Sequence, residues 1–177
     1  KASIVLGAPE ILVVNAGGPP TGKAATLSDE VWAKGYELTL MSSIRLARAA
    51  LPAMQAKGWG RIINVTSTSI KQPIANLPLS NTFRAAVTGF AKTLSREIAA
   101  QGITVNNVAP GYTDTEHLRE IFGSEEATRA FAETIPAKRL AHVNEIAAAV
   151  TFLASQQAAY ITGQTVIVDG GFVGTLF

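Results

Sequence analysis

Four short apolar runs punctuate the chain, and between them apolar residues recur at helical spacing. ILVV (11–14) runs straight into NAGG, RIINV (61–65) follows the break GWG, ITVNNV (103–108) follows Gly102, and QTVIV (164–168) leads into DGG. Short runs bounded by glycine, without strict alternation, predict strands covered on both faces, as in a parallel sheet. Ser28 is placed as an N-cap, with Asp29 and Glu30 suited to the positive end of a helix. Val31, Leu38, Met41, Leu46 and Leu51 then predict one long helix reaching about Lys57. A second stripe, Phe83, Val87, Phe90, Leu94 and Ile98, predicts a helix over 80–100. On it, Ala85, Ala86 and Gly89 permit a neighbouring helix to come close. Short polar helices are expected over 115–133, and NEIAAAVTFLAS predicts a helix over 143–154. Strands alternating with helices predict an α/β fold, a doubly wound parallel sheet with helices on both faces.

Composition narrows the function classes. At 177 residues and 47% hydrophobic the chain fits one domain with a sizeable core. Charged residues are 16%, below the roughly 25% usual for soluble domains, so much surface is expected to be buried in the sheet core or between subunits. The formal charge is only +2 and no run of Lys or Arg occurs, which gives no support for a nucleic-acid partner. With no cysteine, disulfides, thiolate metal sites and a Cys nucleophile are excluded, and a reducing cytoplasm fits. No apolar run reaches the ~18 residues of a membrane helix.

GGPPTGKA (17–24) follows the first strand and matches the phosphate-loop spacing up to its last position. There Ala24 stands where a Mg²⁺-binding hydroxyl is needed. Pro19 and Pro20 remove amides from an anion cradle, and the next helix starts too late. Nucleotide triphosphate hydrolysis is therefore set aside.

NAG (15–17), GRIINVTS (60–67), the helix from Ser80, NNVAPGYTDT (106–115) and AYITGQTVIVDGG (159–171) occur in one order and spacing. Together they resemble the short-chain dehydrogenase/reductase family across essentially the whole chain, most closely its 3-oxoacyl-carrier-protein reductase type. The resemblance implies a Rossmann-like fold and NAD or NADP as cofactor of the intact protein. The implied substrate is a small carbonyl or alcohol, and the implied assembly is a homodimer or homotetramer paired through helices 29–57 and 80–100. It implies that Asn15, Ala16 and Gly17 border the adenine ribose and that Ser67 holds the substrate carbonyl. Pro110 and Gly111 would flank the nicotinamide, with Thr113 and Thr115 near its carboxamide.

Departures from the family pattern fall at its acid. Thirteen residues after Ser67 the family has Tyr, and four later Lys; here these positions are Ser80 and Arg84. The family's Asn in the helix after NAG falls on Thr39. A phenol begins near a pKa of about 10 and a nearby ammonium brings it towards working pH. An alkyl hydroxyl is a far weaker acid, while Arg84 keeps the charge and could hold ribose hydroxyls or an anion. Ser80 as a mere helix cap and Ser80 as a remodelled site remain equally open, as do a divergent oxidoreductase and a non-catalytic binding or scaffold protein. Tyr112 is expected to wall the pocket, and His117 and His142 to lie on the surface. No glycine-rich dinucleotide turn stands in these residues. The chain therefore reads as the C-terminal part of one domain that lacks its first two strand–helix units, and alone it is expected to bind no nicotinamide cofactor.

Overall fold

The computed structural model describes residues 7–176, with the side chain of His117 outside the described set. Four strands, β1 (Ile11–Val14), β2 (Gly60–Val65), β3 (Ile103–Pro110) and β4 (Thr165–Val168), form one parallel sheet in the order β1-β2-β3-β4. Val14 pairs with Asn64, Asn64 with Asn107, and Asn107 with Thr165. Because successive side chains point to opposite faces, β2 divides its isoleucines between two cores. Ile62 joins Ala47, Met54, Ala91, Leu94 and Val105 beneath α2 (Ser42–Lys57) and α3 (Pro78–Ile98). Ile63 joins Val108 and Leu153 beneath α6 (Val143–Ala154). The sheet is thus covered on both faces, as expected.

The predicted single helix over 29–57 is instead α1 (Asp29–Gly35), a π-helical segment (Tyr36–Met41) and α2. A π turn inserts an extra residue per turn, which a search for a 3.6-residue period does not register. Gly35 lets α1 approach α3, because a Cβ there would sit 3.0 Å from a Leu79 methyl. Trp32 and Tyr36 meet Phe83 edge-on at 5.8 and 6.0 Å. Gly89 has open space around it, so no helix among the described residues comes close at that position. The two short helices are α4 (Glu116–Phe122) and α5 (Glu125–Ala132).

At the opposite, N-terminal edge of the sheet, Arg61 is buried and donates to the carbonyls of Gly60, Gly102 and Ser155. Gly102 follows the α3 terminus and Ser155 caps α6, so one guanidinium meets the negative ends of helices on both faces. Trp59 stacks under it at 4.6 Å.

Candidate functional site

The C-terminal edge of a parallel sheet is where open α/β folds place ligands, because the helices that follow the strands begin there. Ser67 stands two residues beyond β2 in extended backbone and caps a short 3₁₀ turn (Thr68–Ile70), its Oγ accepting from the Ser69 amide at 3.1 Å. A hydroxyl that accepts in this way still has its proton to donate.

Ser80 is not an N-cap. Leu77 holds that position, with Pro78 opening the helix, and Ser80 is third in α3 and 7% exposed. Its Oγ lies 3.2 Å from the Oγ of Ser69. Arg84, one turn on, sends Nη1 to the carbonyls of Val65 and Thr66, both at 2.9 Å, and Nη2 towards Ala16 O at 3.5 Å. The guanidinium thereby ties the end of β2 to the turn after β1. Burial pushes its pKa down, but an arginine begins so high that it stays charged.

Thr39 lies inside the π segment, which packs against α3. It is 2% exposed, and its Oγ1 has no hydrogen-bond partner among the described residues, while its carbonyl accepts from Ser43 Oγ at 2.9 Å. Asn15 and Gly17 are exposed. At Gly17 a Cβ would meet nothing within 4 Å, which leaves the backbone open to a ligand. Gly111 has another cause: a Cβ there would come within 2.7 Å of Asp169, so the turn after Pro110 is bare in order to pass the end of β4. Thr113 Oγ1 donates to Gly111 O at 3.3 Å, and Thr115 caps α4 by accepting from Leu118 at 3.3 Å.

Asn15–Gly17, Ser67, Ser80 and Arg84 therefore meet at the ends of β1 and β2, with Pro110–Thr115 at the end of neighbouring β3. The open backbone at Gly17 fits a dinucleotide's ribose there; the described residues include no turn for the pyrophosphate. Tyr112 packs its ring on Phe131 at 4.4 Å and Phe172 at 5.0 Å, and burial raises its phenol, which weakens it as an acid. His142 caps α6. Sequence reasoning missed Ser69, which touches Ser67 through its amide and Ser80 through its hydroxyl. The run TSTS directly after a strand was the available signal. Among the described residues no cluster of His, Cys, Asp and Glu could hold a metal, and no helix is long and apolar enough to cross a membrane.

A family model described as enoyl-(acyl carrier protein) reductase matches residues 2–173. The 3-oxoacyl-(acyl-carrier-protein) reductase of Vibrio cholerae serotype O1 is 42% identical over 93% of this chain and 67% of its own length. That of Escherichia coli K12 is 41% identical over 97% and 69%. Among solved structures, L-sorbose reductase of Gluconobacter frateurii with NADPH and L-sorbose superposes with a TM-score of 0.92 at 34% identity, covering 99% of this chain and 70% of its own. A gluconate 5-dehydrogenase from Burkholderia cenocepacia with NADP and tartrate gives 0.91 at 29%, covering 99% and 69%. The chain spans about two thirds of the length of these proteins.

Proposed function

We propose an activity from the premise that this chain belongs to the short-chain dehydrogenase/reductase family: the intact protein reduces a small carbonyl, or oxidises the matching alcohol, with a nicotinamide cofactor. The observation that carries this is Ser67, whose hydroxyl accepts from the Ser69 amide and keeps its proton for a carbonyl oxygen, at the end of the strand next to the one that leads into the open backbone of Gly17. The cofactor, when bound, supplies the hydride. In this chain Asn15–Gly17 would border its ribose, and Pro110, Gly111, Thr113 and Thr115 its nicotinamide. Ser67 would hold the substrate oxygen, and Arg84 would keep the β1 and β2 ends in place. No residue at position 80 has the acidity to protonate the product alkoxide, so turnover is expected to be feeble.

The test is a steady-state assay of NADPH oxidation by the intact protein with a panel of ketones and 3-oxoacyl thioesters. The double variant Ser80→Tyr with Arg84→Lys should raise the rate, towards the 10²–10⁴-fold that a general acid is typically worth. Thr39 limits the gain, since the family's Asn is still absent. Vigorous turnover by the parent would mean that another group supplies the proton. One observation favours a second reading, a non-catalytic binding protein of the same fold: the Ser80 hydroxyl faces Ser69, and Arg84 faces main-chain carbonyls. That reading expects no turnover in either form.

A further inference from the structure

Away from Ser67 and Ser80, a cleft of about 740 Å³ lies between α5 and the segment 138–142. Ser124, Thr128 and Ala132 line it from successive turns of α5, so it runs along the helix for about 12 Å at 1.5 Å per residue. Two acids, Asp114 and Glu125, also line it, with four basic side chains, Arg119, Arg129, Lys138 and Arg139. Two of these are already neutralised. Arg119 makes a paired contact with Asp114 at 2.8 Å, and Arg139 with Glu145 at 2.7 Å. These bidentate pairs fix both guanidinium planes. Arg129 has no ion pair among the described residues, and Lys138 spends one of its three donors on Glu133 O at 2.6 Å. Against these two cations the lining offers one further acid, Glu125, whose charge also acts on Arg119.

Lys138 adds an independent sign. Its φ is +57°, a left-handed conformation that glycine adopts at no cost and a lysine does not. A site with no use for the side chain would be better served by glycine, and residues held against preference concentrate where a ligand is met.

We propose that this cleft binds a small, elongated organic polyanion bearing phosphate or carboxylate groups, with Arg129 and Lys138 as its unneutralised cations and the Ser124 hydroxyl, which accepts from the Ala127 amide and keeps its proton, as a donor beside them. The site is independent of the reductase reading. Binding is electrostatic and exposed, so it weakens with salt.

The experiment is a ¹⁵N NMR titration of the 177-residue protein with inorganic pyrophosphate and, separately, citrate, against sodium chloride at matched ionic strength. Saturable shifts confined to residues 114–142 are expected, and the tighter of the two probes tells phosphate from carboxylate recognition. Arg129→Gln and Lys138→Gly should each weaken binding by about two- to fivefold, the range of one partly screened ion pair. Lys138→Gly keeps the backbone relaxed, so its Tm should fall by no more than about 3 °C, which separates lost binding from lost folding. No saturable shift by about 20 mM probe, shifts reproduced by sodium chloride, or both variants binding as the parent does would overturn the proposal.

Discussion

At the end of β2 the charge of Arg84 is buried and answered by backbone; at Arg119 on α4 and Arg139 beyond α5 the charges are exposed and answered by carboxylates. Arg84 has no ion pair among the described residues and instead satisfies the carbonyls of Val65 and Thr66. Arg119 and Arg139 reverse the arrangement, each held by a carboxylate in water. Charges of the first kind hold the chain together, because removing one leaves buried carbonyls unanswered. Charges of the second kind contribute little to stability and remain free to meet something else.

The largest effect that would break this contrast is expected at Arg84. Arg84→Ala should destabilise the fold by about 2–4 kcal/mol, since two buried carbonyls lose their donor; Arg84→Lys should recover part of that. Urea unfolding with an unchanged m-value measures it, and a loss below about 0.5 kcal/mol, the scale of a surface substitution, would place Arg84 with the exposed arginines.

Next comes the serine pair. Ser69→Ala and Ser80→Ala should each cost about 0.5–1.5 kcal/mol, the net worth of a neutral hydrogen bond. If the hydroxyls meet each other as described, a double-mutant cycle should show a coupling of about 0.5 kcal/mol or more. Strict additivity would break the pair.

The smallest effect belongs to the exposed side. Arg139, first, and the His142 amide hold the Glu145 carboxyl down to about 2. Because the folded value lies below the unfolded one, the stabilisation is fully present above about pH 4.5 and is lost as pH falls towards about 2. Glu145→Gln should therefore flatten the slope of stability between those limits, its small loss being fully present at neutral pH and vanishing as pH falls towards about 2. A stability profile in acid, compared between the two proteins, sharpens the comparison; identical slopes would contradict it.

The strands and the two-faced sheet were legible because buried strands carry runs bounded by glycine, a signal that resides in neighbouring residues. That Ser67, Ser80 and Arg84 lie around the end of β2 was legible by spacing, since they stand at fixed intervals along the chain. What each side chain faces was not legible. Ser80 as a cap depended on where α3 starts, and Pro78 moved that start two residues upstream. Arg84 read as a ligand-facing cation because the carbonyls it meets lie 18 and 19 residues away in sequence. The π segment escaped because one extra residue shifts the helical phase without altering composition.

Arg61 has a consequence for the order of events in folding. Its acceptors at Gly102 and Ser155 lie 41 and 94 residues further along the chain, so its clamp closes only after β3 and α6 have arrived. A bond completed that late is absent from most of the route to the barrier, and it acts chiefly on the rate of escape from the native state. Arg61 is thus a latch: it does little to bring the two helical layers together and much to delay their parting.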